Sequence, residues 1–279
     1  FRSSQWVKMS NGDLYLFYRH GSHRSDWVYQ KSVDDGRTFA PEVSIIKHKT
    51  AAGSLTVHDS WYAWFDQGKG DTITASYVYH PCANPGHNAH RNNTYYMLRI
   101  AVTIHGQTSK ALPQTARHET IPDQFTLIQA TGTEKSNHGS CHIDAEGHPH
   151  IFFRFPGQIR YYRWDGKAWQ KPTAIGVDYS KGSDGDFIVD SPLTVRALLT
   201  QNHDGKAELN WWKTTDGGQT WAKGATLFSR PNVGFQATVL ARNAHPDAEM
   251  LICAKDPQQE HLYHPMFLVG EQGAIGRPA

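Results

Sequence analysis

Four side chains able to bind a metal ion fall within eleven residues: His80, Cys82, His87 and His90. His138 and His142 follow further along the chain. A thiolate among several imidazoles suits zinc, which prefers nitrogen and sulfur ligands in a tetrahedron. The spacing H-x-C-x4-H-x2-H is not that of a zinc finger, and an exposed His-rich loop accounts for the same residues. A metal bound there is expected to pin a long loop rather than to activate water. A second concentration holds Tyr18, Arg19, His20, Arg24, His58, Trp61, Tyr62, Tyr79 and His80. A guanidinium grips a carboxylate in two places, and His or Tyr can take or give a proton. A rim salt bridge at Arg19 and core packing at Tyr62 are the plainer alternatives.

The elements that must position these groups read as strands. Leu14–Tyr18 follows the turn residues Asn11-Gly12-Asp13. Residues 72–79, 94–100, 150–154, 159–163, 193–199 and 207–212 are further short runs rich in β-branched and aromatic residues, bounded by Gly, Asn and Asp. That density of strand and turn signals predicts sheets linked by tight turns. No segment carries a capped helical period over three turns. Residues 105–123 are polar, contain two prolines and read as a long loop.

An internal repeat sets the architecture. Ser32-Val33-Asp34-Asp35-Gly36-Arg37-Thr38-Phe39 matches Thr214-Thr215-Asp216-Gly217-Gly218-Gln219-Thr220-Trp221 as S/T-x-D-x-G-x-T-F/W, the Asp box or BNR repeat. The carboxylate accepts amides of its own turn, the glycine takes positive φ, and the final aromatic packs back on the sheet. Arg163–Trp169 reads as a worn copy. The two full copies lie 182 residues apart, room for four blades of about 45 residues. The predicted fold is all-β: a β-propeller of four-stranded antiparallel blades in a single domain over residues 1–279. Five units are expected, at 3–48, 55–120, 125–176, 184–231 and 234–270, the last incomplete. Such boxes staple turns and identify architecture, not chemistry.

Composition excludes several classes. Lys and Arg number 28 against 26 Asp and Glu, so neither a polybasic nucleic-acid binder nor an acidic tail is present. No apolar run approaches the roughly 20 residues of a membrane helix. Cys82, Cys141 and Cys253 allow at most one disulfide. The chain starts at Phe1 rather than Met, and is read as processed, trimmed or a fragment.

Ser4–Gly21 with its Tyr18-Arg19-His20-Gly21 ending (Y-R-x-G), then Asp26–Tyr29, Tyr77–His90 and His138–Ile151, resembles the BNR-repeat propellers that include ulvan lyases, rhamnose–glucuronate lyases and a related rhamnosidase. The order of the motifs covers nearly the whole chain. The resemblance implies a secreted or periplasmic polysaccharide lyase that cleaves a uronate-containing acidic glycan by β-elimination. It needs no organic cofactor and no nucleic-acid partner. Arg19 would offset the substrate carboxylate, and Tyr62, His58 or His80 would serve as base and acid. Tyr18, His20, Trp61 and Tyr79 would bind substrate, with Trp6, Trp27 and Trp64 as further sugar platforms. Cys82 and His90 would lead a structural zinc set completed by His138 or His80. Members usually have seven blades, against five to six here. Their upstream His-rich blades, which supply catalytic histidines, have no counterpart before Phe1. This reads as the C-terminal portion of a longer propeller or a shorter one with a rebuilt site. Sialidase-like propellers resemble the chain more distantly: Phe1-Arg2 matches the start of their F/Y-R-I-P motif without its Ile and Pro. A sialidase- or rhamnosidase-like hydrolase and a non-catalytic glycan-binding propeller are the alternatives.

Overall fold

The computed structural model describes residues 4–21, 25–47, 60–70, 72–80, 92–100, 127–137, 139–175, 185–203, 205–231, 234–240, 245–255, 265–270 and 273–274. These residues contain strands and no α-helix. The first sheet takes β1 (Gln5–Lys8), β2 (Leu14–Arg19), β3 (Trp27–Ser32) and β4 (Val43–Ile46) in that order. The second takes β5 (Ser60–Gln67), β6 (Thr72–His80), β7 (Asn92–Ile100) and β8 (Leu127–Gln129). The third takes β9 (Cys141–Ile143), β10 (Pro149–Phe155), β11 (Gln158–Arg163) and β12 (Thr173–Ile175). The fourth takes β13 (Gly185–Val189), β14 (Val195–His203), β15 (Lys206–Thr214) and β16 (Ala222–Pro231). The fifth takes β17 (Gly234–Leu240), β18 (Met250–Lys255), β19 (Met266–Gly270) and β20 (Gly273–Ala274). Each recorded strand pairing is antiparallel between sequence neighbours, as tight turns allow.

The strands form where the sequence alternates. In β2, Tyr15 and Phe17 are buried while Leu14, Leu16 and Tyr18 are not, as period-two pleating requires. The β1–β2 turn is set locally. The Asn11 side chain accepts the Asp13 amide at 3.0 Å, and Gly12 sits at φ 92°.

Chain contacts divide the protein into two compact units, Phe1–Gly147 and His148–Ala279. The division falls in the turn between β9 and β10. In the first unit, Phe17 stacks on Phe65 with ring centroids 4.3 Å apart, joining the first two sheets. The Gln5 side chain adds a short ladder between β1 and β5, donating to Ala63 O and accepting the Phe65 amide. In the second unit, Phe152 meets Phe187 at 4.2 Å and Phe228 meets Phe267 at 4.9 Å. Trp212 and Trp211, neighbours on β15, pack into the two different cores of that unit.

Asp34 lies in the β3–β4 turn and Asp216 in the β15–β16 turn, and the two turns share one bonding pattern. Asp34 Oδ1 accepts the Ser32 hydroxyl at 2.8 Å and the Thr38 amide at 2.9 Å, and Oδ2 accepts the Thr38 hydroxyl at 2.6 Å. Asp216 repeats this with Thr214 and Thr220 at 2.7, 3.0 and 2.6 Å. Asp165 holds the corresponding β11–β12 turn, accepting the Lys167 and Ala168 amides at 2.8 Å each. The closing aromatics differ: Phe39 meets Trp6 of its own sheet, whereas Trp221 packs on Tyr161 and Phe152 of the third sheet.

Three expectations about the repeats are corrected. Leu127–Gln129, assigned by sequence to the third unit, pairs with Tyr95 and Thr94 as the fourth strand of the second sheet. The fifth sheet has four strands, although its last is only two residues long. The Asp34 and Asp216 turns stand three sheets apart, not four. The 26 residues between Ile100 of β7 and Leu127 of β8 make the stretch of chain in the second sheet much longer than the spacing assumed and account for much of the difference. The predicted loop at 105–123 lies outside the described residues.

Candidate functional site

Arg19 is the last residue of β2 and shares a face of that strand with Phe17. The Phe17–Phe65 stack therefore directs Arg19 toward the start of β5. There its Nη2 donates to the carbonyl of Trp61 at 2.8 Å, and Trp27 Nε1 donates to the same oxygen at 2.8 Å. The guanidinium carbon lies 4.4 Å from the Tyr62 ring centroid and 5.3 Å from that of Trp27. Contacts of this kind hold a cation by the ring quadrupole. Beyond Tyr62, the His80 ring lies 5.3 Å away, tilted by 54°. Cross-strand register explains the meeting, since Ser60 pairs with His80 and Tyr62 with Val78. Arg19 and Tyr62 are part-exposed, while His80 is buried.

Tyr18 and His20 are handled separately. Tyr18 adjoins Arg19 on an extended strand, so its side chain takes the opposite face. Its hydroxyl donates to Glu42 Oε1, and His20 Nδ1 lies 2.5 Å from Glu42 Oε2. Sequence reasoning missed Glu42. Its only cue is a carboxylate just before β4, and no spacing links it to residues more than twenty positions earlier.

The tryptophans are reassigned in part. Trp61 and Trp27 are 0% and 1% exposed and have no face for a sugar. Trp61 was expected to bind substrate. Its indole instead packs edge-on against Tyr77 and donates to Lys47 O at 2.8 Å, so only its backbone serves the site. Tyr79 is half-buried, 5.0 Å from Trp61. Trp6 is 55% exposed. His58, Arg24, Cys82, His87, His90 and His138 lie outside the described residues.

At the far end of β5, Asp66 Oδ2 lies 3.2 Å from His142 Nδ1, both nearly buried. Thus the structure gives His142 a carboxylate partner. Cys141 beside it is buried, and burial pushes its thiol up to about 12, so without a metal it stays protonated at neutral pH. Within the single turn after β9, Asp144, Glu146 and His148 bring one ligand atom each within 4.8 Å of the others, a group able to hold a metal. Asp144 Oδ1 also accepts the Glu146 amide at 2.9 Å.

A part-exposed arginine, a phenol and an imidazole in series can pair with an anion and move a proton. No family model matches the chain. Among solved structures, it is similar to an ulvan lyase of polysaccharide lyase family PL25, bound to -[GlcA(1-4)Rha3S]-. The TM-score is 0.81 at 36% identity, over 99% of this chain and 66% of that one. A sialidase from Streptococcus pneumoniae shares the fold alone, at 10% identity and TM-score 0.56, over 99% of this chain and 60% of that one. Among curated proteins, the chain is 40% identical over 296 residues to an ulvan lyase of Alteromonas sp. (strain LOR), covering 98% of this chain and 59% of that protein. It is 34% identical over 300 residues to an ulvan lyase of Nonlabens ulvanivorans, covering 98% and 61%. The chain spans about three fifths of the length of these curated relatives. Among the described residues, no helix is long and apolar enough to cross a membrane.

Proposed function

We propose that the chain is part of an exported polysaccharide lyase that cleaves an ulvan-like polymer of uronate and sulfated rhamnose by β-elimination. The observation that carries this reading is the Arg19–Tyr62–His80 series at the adjoining ends of the first two sheets. The similarity to ulvan lyases supports it. In this reading the five sheets are blades of one propeller domain with Asp-box turns on the rim, and further blades complete it.

The chemistry asks three things of the site. Arg19 pairs with the uronate carboxylate and offsets the charge that builds there as the C5 proton leaves. One of Tyr62, His80 or His58 removes that proton. Electrons from the C5–H bond form the C4=C5 double bond as the C4–O bond breaks. Another of the three gives a proton to the departing oxygen. Tyr18, His20 and Tyr79 contact neighbouring sugar residues. Zinc on the loop after β6 would pin that loop, with Cys82, His90 and His138 as ligands. His80 leads into the loop, and its buried imidazole suits either a ligand or a proton carrier.

Mass spectrometry of the products tests the reaction class. After β-elimination, the two fragments of a GlcA–Rha3S oligosaccharide together have the mass of the substrate. Fragments heavier by one water would replace the lyase reading with hydrolysis, and an uncleaved substrate would leave a glycan-binding protein.

A further inference from the structure

The second unit carries a cavity of about 530 Å³ beside the Asp216 turn. Arg163 from the end of β11, Lys171 from the β11–β12 turn and Gln219 of the Asp216 turn line it. Leu193, 49% exposed, Pro172 and the buried Tyr161 add apolar lining. Arg163 Nε is shielded from solvent and has no hydrogen-bond partner among the described residues. Two carboxylates stand nearby. Asp216 already accepts the Thr214 hydroxyl and both the amide and the hydroxyl of Thr220. Asp165, which feels the charge of Arg163, accepts the Lys167 and Ala168 amides and the Gln170 side chain. Both carboxylates are thus engaged by their own turns, whereas Arg163 Nε has no hydrogen-bond partner among the described residues.

The first Asp turn shows what keeps this space open. Gly217 occupies the place that Asp35 holds there, and both take positive φ, 73° and 57°. A Cβ at 217 would lie 3.1 Å from Leu193 Cδ2 and 3.3 Å from Arg163 Nη1. A side chain at 217 would therefore crowd both the aliphatic wall and the guanidinium. Glycine leaves them uncovered, in a turn that tolerates an aspartate elsewhere in the same chain.

We propose that this cavity is a second saccharide subsite, in which Arg163 and Lys171 hold the anionic substituent of a pyranose while Leu193 and Pro172 meet its C–H face. The shared ligand chemistry is a carboxylate or a sulfate ester on a sugar. The inference rests on the acidic-polymer reading above and adds an anchoring point for the polymer within the second unit.

The test uses the complete protein and two variants, Arg163→Gln/Lys171→Gln and Gly217→Asp, each checked for an unchanged melting temperature. Affinity electrophoresis in gels containing ulvan reads binding without requiring turnover. Both variants should lose retardation relative to the parent, corresponding to an affinity about 10-fold weaker, the scale of one charge-assisted hydrogen bond. In kinetics, KM for the polymer should rise by a similar factor, with kcat unchanged. Gels with desulfated or carboxyl-reduced polymer identify which anion is held. Equal retardation of parent and well-folded variants overturns the subsite, even if the protein proves to be a lyase. Lost retardation in a protein that cleaves nothing upholds the subsite while the lyase reading fails. If the double variant does not fold, Gly217→Asp decides the matter by the same retardation.

Discussion

The Arg19 guanidinium carbon stands 4.4 Å from the ring centroid of Tyr62, while one of its nitrogens donates to the backbone of the preceding residue, Trp61. Both contacts fix the cation to the start of β5. Arg19 is therefore a structural residue as well as a candidate catalytic one, and its removal is not silent in the fold. Lysine keeps the charge and loses the planar fork. Arg19→Lys in the complete protein should lower turnover by about 100-fold or more while melting close to the parent. Arg19→Ala should do worse and also lose about 1–2 kcal/mol of stability with its hydrogen bond. Steady-state rates and urea denaturation on the same preparations separate the two effects.

Tyr62 offers a cleaner substitution. Tyr62→Phe keeps the ring that Arg19 and His80 face and removes only the hydroxyl. If that hydroxyl moves a proton, turnover should fall by about 100-fold or more with the melting temperature unchanged. Full activity in this variant would shift the proton-transfer role to the histidines.

The Asp34 turn makes a prediction about acid. Hydrogen bonds from the Thr38 side chain and amide, with that of Ser32, lower the Asp34 carboxyl from 3.8 to about 2. A carboxyl held down in the folded state stabilises above its unfolded pKa and loses that contribution as pH falls through the folded one. Thermal melts should show Asp34→Asn below the parent at neutral pH, with the gap closing between about pH 4 and pH 2. Hydrogen bonds from Thr220 and Thr214 likewise lower the Asp216 carboxyl, so Asp216→Asn should follow the same course.

Much of this fold was legible because its signals are local. Asn11-Gly12 and the two Asp turns fix hairpins from within a few residues, and the alternation Tyr15, Phe17 marks the buried face of β2. The fourth strand of the second sheet was not legible, since Leu127–Gln129 joins Tyr95 across 26 intervening residues, beyond the reach of any local hairpin signal. At the site, a period of two shows that Trp61 and Tyr62 face opposite ways, but not which face another sheet covers. Packing in one core with Phe17 and Trp27 of the first sheet settles this: Trp61 is core and Tyr62 reaches the site. Glu42 was invisible for the same reason, because its meeting with Tyr18 and His20 exists only once β2 and β4 share a sheet.

If the proposed zinc is held by Cys82 and His90, it should survive purification without chelators. Elemental analysis should then find about one zinc per chain, and a thiolate, two or three imidazoles and the metal would contribute jointly to stability. Stripping the metal should lower the melting temperature, and Cys82→Ser should lower both zinc content and melting temperature. A zinc-free preparation of unchanged stability would remove the metal from the account.

The most direct measurement is far-ultraviolet absorbance during incubation of the complete protein with ulvan. β-Elimination at a uronate leaves a conjugated C4=C5 double bond. The account predicts absorbance that rises in step with new reducing ends, and only marginally with Arg19→Lys. Reducing ends that appear without absorbance, or an undiminished rise in the Arg19→Lys protein, would contradict it.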